Sequence, residues 1–268
     1  MSQHKYRISP SALGKFSKYI NSDKEFEDFL NVDADGEYKL SLDEITEKNE
    51  QELLDYVNKV PQEPSEAADK GTCFNEILDR LILHQKDGRE DVEIKSGKML
   101  IGDMDEVPVV YAKMDGFSFT FDLEICLDLA KELKGAVPQY HTEAILPTKY
   151  GDVLLHGFID YVQGDVVVDL KTTSRYCYPK YDSGFQHDLY PYCLIESGVM
   201  DGVSEFDYLI VKWKDLVGKP TTGTVYIEPY TYNHEQATAR LRNMCEWFIE
   251  WLETNRDRIT NKAIFGEE

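Results

Sequence analysis

Several things are scarce in this sequence, and each shortage removes a class of protein. No apolar run in its 268 residues approaches the roughly 20 that a membrane-crossing helix needs. The opening stretch MSQHKYRISPSALGKF has no apolar signal core, so no export and a cytoplasmic location are expected. The 5 cysteines, at 73, 126, 177, 193 and 245, form no CxxC pair, which argues for reduced thiols rather than a disulfide framework or an iron–sulfur cluster. The 6 histidines show no HExxH spacing, so a zincin-type centre is not expected. Basic residues are few: 29 Lys and Arg stand against 50 Asp and Glu, a net charge of −21. A field of that sign opposes binding to nucleic acid. Internal repeats and low-complexity tracts are also absent.

What is present indicates a globular chain. Hydrophobic residues make up 42% and tyrosines number 17, too much apolar surface for a disordered polymer. The length suits one large domain over 1–268. The acidity is concentrated: residues 21–69 hold 16 Asp/Glu against 4 Lys/Arg, over half of the excess, and read as a helical acidic insertion or lid. The remainder carries a modest field that a local basic groove can overcome within a Debye length of about 8 Å. Ser-Pro at 9–10 opens a helix, residues 43–57 read as helical, and VPQEP breaks the chain after them. A helix follows over 70–85, with Phe74, Ile77, Leu78, Leu81 and Ile82 on one stripe. Next come a helical stretch near 122–134, a strand over 141–147 and two strands, GDVLLHGFIDYV and DVVVDLKTT, joined by a tight turn. A helix around GFQHDLYPYCLIESG, complicated by Pro191, two more strands at 205–213 and 222–230, and a long amphipathic helix from Asn233 complete an α/β outline.

The chemistry concentrates in GFIDYVQGDVVVDLKTTS, residues 157–174. Asp160 and Asp169 can meet across a hairpin, whose strands lie about 4.8 Å apart. Asp169 and Lys171 are two apart on one strand and so project from one face. Two acids and an ammonium around one point suit a hard cation such as Mg²⁺, which takes one or two carboxylates plus other oxygens. The lysine would polarise the attacking water or offset charge on a phosphate. The Leu170 carbonyl is available as a further ligand. The alternative is that these are turn aspartates and a chance D-x-K on surface strands.

Together, GFID and VVDLKTTS resemble the core of the PD-(D/E)xK nuclease superfamily, although no proline precedes Asp160. Downstream, FQHDLY places Gln186 and Tyr190 as the Q-x-x-x-Y element of the RecB-like exonuclease branch, on one helix face. Upstream, ISPSALGKF and KGTCFNEILDRL resemble the branch's opening helix and its Gly-x-x-x-His helix, with Asn75 in place of the histidine. The resemblance spans roughly residues 8 to 190 and implies a restriction-endonuclease-like core, a central mixed sheet flanked by helices. It implies Asp160 and Asp169 as metal ligands, joined by Leu170, Glu143 and a weakened Asn75, with Glu76 as a possible substitute. Lys171 would be catalytic, with Gln186 and Tyr190 positioning DNA or buttressing the centre. The activity implied is a Mg²⁺-dependent (or Mn²⁺-dependent) exonuclease on linear, duplex DNA in recombination or repair. A ring-shaped homo-oligomer and a single-strand annealing partner follow from phage-type relatives. Two alternatives stand beside it: a non-catalytic DNA- or protein-binding module on a nuclease fold, and an endonuclease of the same superfamily.

Around the centre, Lys149, Thr172, Thr173, Arg175 and Lys180, with Lys212 and Lys214, are candidates for tracking a phosphate backbone. Tyr176, Tyr178, Tyr181 and Trp213 are candidates for base stacking, with ordinary packing as the default. His156 and His187 flank the centre and are expected to be structural. NVDADGEYKLSLDE places Asn31, Asp33 and Asp35 at calcium-loop positions, but the closing glutamate is replaced by Leu42, so a turn is the better reading.

Overall fold

The computed structural model describes residues 5–28, 31–32, 37–102 and 105–267. In chain order the elements are β1 (Tyr6–Ile8), α1 (Pro10–Ile20), α2 (Ser22–Phe26), α3 (Leu42–Val57), α4 (Glu66–Leu83), β2 (Glu93–Ile101), β3 (Asp105–Met114) and β4 (Phe117–Asp122). They continue with α5 (Leu123–Glu132), β5 (Val137–Thr148), β6 (Gly151–Gln163), β7 (Val166–Thr173), α6 (Gln186–Glu196), β8 (Glu205–Lys214), β9 (Thr222–Tyr230) and α7 (His234–Thr254). The architecture is α/β, with a mixed six-stranded sheet flanked by helices and a separate antiparallel sheet β2-β3-β4.

Local chemistry fixes the helix starts. The Ser9 hydroxyl accepts from the Ala12 amide with Pro10 at the first helical position. Ser41 and Glu44 form a reciprocal capping box on α3, and the Asn233 side chain accepts from the Gln236 amide at the start of α7. At the described ends of the calcium-like segment Val32 and Tyr38 form an antiparallel bridge, the Asn31 side-chain oxygen accepts from the Leu40 amide, and its NH₂ donates to the Phe26 and Leu40 carbonyls. Asp33, Asp35 and Gly36 lie outside the described residues.

Two cores sit on opposite faces of the main sheet. One gathers α1, α3, α6 and α7 around Phe16, Leu53, Leu189, Phe206 and Phe248. The acidic segment belongs to it, because Leu53, Leu54 and Val57 bury α3 against α1 and Lys18 pairs with Glu52 at 3.0 Å. The other core gathers α4 and α5 between Val168, Leu170 and Val211 of the main sheet and Val110, Phe119 and Phe121 of the small one. The small sheet had no counterpart in the sequence reading, since the one-sided burial of β2 leaves mostly polar residues exposed.

The arrangement around β6 positions everything that follows. β5 pairs antiparallel with β6 along nearly all its length, from Val137↔Val162 to Thr148↔Gly151. On the opposite edge, β7 pairs antiparallel only at Tyr161 to Gln163, and β1 pairs parallel only at Val153 to Leu155. Residues 156–160 therefore have no strand partner on that edge. β7 pairs in parallel with β8 from Val166 to Thr173, reached through the α6 crossover, and beyond Val168 that is its only strand partner.

Candidate active site

Asp160 stands where the sheet edge opens. One step past the last β6–β7 pair, Tyr161↔Val168, it comes opposite Asp169. With no backbone acceptor there, Asp160 Oδ2 accepts the Leu170 amide at 2.8 Å, so a carboxylate continues the ladder where the strand stops. A strand residue's N–H and C=O point to the same edge, so the Leu170 carbonyl also faces the opening. Asp169 is buried and Asp160 half-buried. Burial, and then the charge of Asp169, push the Asp160 pKa up to about 7. Burial also raises that of Asp169, opposed by Lys171.

The Lys171 ammonium lies 2.5 Å from Asp169 Oδ2, an ionic contact without aligned hydrogen-bond geometry. It also lies 5.6 Å from the Tyr208 ring centre and 6.0 Å from that of Tyr181. Gln186, the first residue of α6, donates to Asp169 Oδ1 at 2.5 Å, and Tyr190 one turn on reaches Gln186 at 3.5 Å. Pro191 lies in the second turn and removes the bond to the His187 carbonyl, yet the helix runs on to Glu196. Gly157 is required by this packing: a Cβ there would come within 2.7 Å of the Tyr190 ring. Gly71 plays the same part for α4, where a Cβ would meet the Thr172 hydroxyl at 2.8 Å.

That close approach brings Asn75 beside Asp160, in an orientation the sequence does not reveal. Its NH₂ donates to Asp160 Oδ1 at 3.3 Å, and its carbonyl oxygen accepts from the Tyr161 hydroxyl at 2.5 Å. Asn75 is therefore a donor to the acid rather than a ligand beside it, because its one good acceptor is taken by a buried tyrosine. Glu76 is not a substitute, since it turns to Arg80 and the Arg89 amide. Glu143 is not brought to the centre either. It pairs with His156, four residues or roughly 13 Å along β6 from Asp160, and it lies 4.0 Å from His141 Nε2.

Among the backbone-tracking candidates, three converge at the end of β7. Lys180 Nζ donates to Thr173 Oγ1 and to the Arg175 carbonyl. Lys149 stands apart, at the β5–β6 turn, paired with Glu246 and Glu250 of α7. Trp213 packs against Phe74 and Phe121, and Lys70 lies over its ring. His187 is buried between Tyr208 and Arg240, and burial, then the Arg240 charge, lower its pKa to about 4.

Three contributors escaped the sequence reading. Tyr161 holds Asn75 in place, and behind it Asp79 has its pKa raised to about 6 by burial. Glu228, fully buried on β9, accepts from the Tyr176 and Tyr230 hydroxyls and the amides of Lys180 and Tyr181. It ties the segment after β7 beside Lys171. The adjacency of Tyr161 to Asp160 was a usable signal. An acid between Ile227 and Pro229 gave none.

Among the described residues no three or more His, Cys, Asp or Glu side chains gather as a metal-binding group, and no helix is long and apolar enough to cross a membrane. No family model matches this chain, and no curated protein does. Among solved structures, that of SSO0001 is similar with a TM-score of 0.31 and 11% identity, over 45% of this chain and 55% of that one. The chain thus matches about half the length of that protein.

Proposed function

We propose that this chain is a metal-dependent deoxyribonuclease of the PD-(D/E)xK type, acting as an exonuclease on linear DNA. The observation that carries the reading is the meeting of Asp160, Asp169, Lys171 and the Leu170 carbonyl at the open edge of β6. The order α4-β5-β6-β7-α6-β8 around that edge supports it, as does the placement of Gln186 and Tyr190 on one face of α6.

The donors suit Mg²⁺ or Mn²⁺. They are all oxygen, two of them are carboxylates forced together with raised pKa values, and Asp169 Oδ2 is buried without an aligned donor. Such a cation, when bound, would supply Lewis acidity beside the scissile phosphate and a more acidic water. The protein's own part is distinct. Lys171 holds a positive charge against Asp169 and, released toward substrate, orients the attacking water or offsets charge on the phosphate. Gln186 fixes the Asp169 carboxylate through Oδ1, and Tyr190 backs Gln186. Lys180 and Arg175, at the end of β7, would supply cations for the DNA backbone.

Asn75 favours a second reading, a non-catalytic DNA- or protein-binding module, since it offers Asp160 a donor where the resembled family has a ligand. One experiment separates the two. End-labelled linear and closed circular duplex DNA are incubated with the protein, with and without Mg²⁺ or Mn²⁺, beside Lys171→Ala. Metal-dependent loss of linear DNA, reduced at least ~10³-fold in Lys171→Ala, is expected. Binding without cleavage by the wild type supports the module, and cutting of closed circles makes it an endonuclease.

A further inference from the structure

A second site lies outside the acid–lysine centre. Between β1, the start of α1, the end of α3 and the turn at Lys262–Phe265 is an open cavity of about 460 Å³. That falls within the roughly 300–1,000 Å³ typical of small-molecule sites. Its lining is unusual for so acidic a chain. Arg7, Lys15 and Lys59 all border it, and among the described residues none of the three has an ion-pair partner within 4.0 Å. Lys18, next along α1, is by contrast held by Glu52 at 3.0 Å. Glu52 is the single carboxylate on the wall and is held by Lys18 and Lys48; Lys15 feels its charge and lies 5.7 Å from the Tyr56 ring centre.

The remaining wall adds direction. His156 borders the cavity, and its pKa is lowered by burial and then by Arg7, with His141 and Lys59 adding smaller pushes against the opposing Glu143. The hydroxyls of Ser9 and Tyr56 meet at 3.0 Å on the wall and offer hydrogen bonds. Val57, Val60 and Ile264 give an apolar side beside the Tyr56 ring. Arginine is suited to bidentate phosphate recognition, and a flat ring would cover the aromatic and apolar side.

We infer that this cavity binds a free phosphate monoester carrying a ring, of the nucleoside monophosphate class, with Arg7, Lys15 and Lys59 around the phosphate and Tyr56 beside the ring. The site is formed only with α3 docked on α1, which gives the acidic segment a part in ligand binding. This inference goes beyond the nuclease reading and does not depend on Lys171.

The test is calorimetric titration of the whole chain at low ionic strength with adenosine 5′-monophosphate, inorganic phosphate and adenosine in separate runs. Saturable binding of the monophosphate is expected, with inorganic phosphate about tenfold weaker and adenosine weaker still. Arg7→Gln combined with Lys59→Gln should weaken the monophosphate by at least about tenfold. Lys98→Gln, on the distant small sheet, and Lys171→Ala should bind as the wild type does. Absence of saturable binding, or affinity unchanged in the double variant, overturns the proposal. Equal affinity for inorganic phosphate and the monophosphate overturns the ring contact. Because Lys171→Ala abolishes only the proposed cleavage, the two readings fail separately.

Discussion

Two buried acidic centres lie on either side of one short segment, and they are built in opposite ways. Glu228 is a single carboxylate surrounded by donors: two tyrosine hydroxyls and two backbone amides converge on it. Burial alone would raise its pKa, but the bonds from Tyr230, Tyr181, Lys180 and Tyr176 outweigh it and hold the group below the usual value. Asp160 and Asp169 are two carboxylates with too few donors between them, and both are pushed up. The segment at Lys180–Tyr181 joins the centres, with its amides on Glu228 and the Tyr181 ring near Lys171. A satisfied acid fixes a loop, whereas an acid pair short of positive charge marks a place where charge is to be brought in. The same residue chemistry therefore serves as an anchor in one place and as the candidate reactive centre in the other.

Removing each acid should move stability in opposite directions. Glu228→Leu leaves two amides and two hydroxyls without an acceptor in a buried place, and is expected to cost about 3–5 kcal/mol. Urea denaturation reads that loss, and faster proteolysis within 174–185 locates it. Wild-type stability from Glu228 is present above its unfolded pKa and is lost as pH falls through the lower folded value. Asp160→Asn should do the reverse and raise stability by about 1–3 kcal/mol near pH 8 in the absence of divalent metal. Its folded pKa, about 7, exceeds the ordinary 3.8, so the wild type is stabilised by the proton at low pH. That contribution is lost as pH rises through about 7, and a neutral Asn removes the dependence. Melting curves between pH 4 and pH 8, compared with the wild type, check the sign. A Tm gain for Glu228→Leu, or a loss for Asp160→Asn near pH 8, would reverse the contrast.

Much of the candidate centre was legible because it is written in short periods. Asp169 and Lys171 share a strand face at a spacing of two, and Gln186 and Tyr190 share a helix face at a spacing of four. Both pairs lie where those periods put them. The part that positions Asp160 was not legible. It depends on β1, only three residues long, taking the part of the β6 edge that β7 leaves free, a long-range pairing with no local signal. Glu143 was misplaced for the same reason: a strand position gives the face of a residue but not how far along the partner strand the centre lies. The sheet over 93–122 was missed because its outer face is mostly polar and its inner face packs on α4, α5 and distant main-sheet residues such as Trp213, contacts with no local signal.

The smallest expected effect lies at Asn75, where the two designs meet. Its amide is a donor to Asp160 and an acceptor for Tyr161, so Asn75→Ala removes one bond from the acid pair and one from a buried hydroxyl. The second loss is cushioned. Asp79 stands on the other side of the Tyr161 hydroxyl, within hydrogen-bonding reach, with Oδ1 buried and lacking an aligned donor. Rotation of the hydroxyl toward Asp79 would satisfy both groups, so the cost should stay near 1 kcal/mol rather than the 1–3 kcal/mol of an orphaned buried donor. One titration should shift: Asp160 loses a donor and its pKa rises above about 7. Carboxyl ¹³C NMR of the Asp160 side chain reads the rise, and an unchanged titration in Asn75→Ala would refute the bond from Asn75.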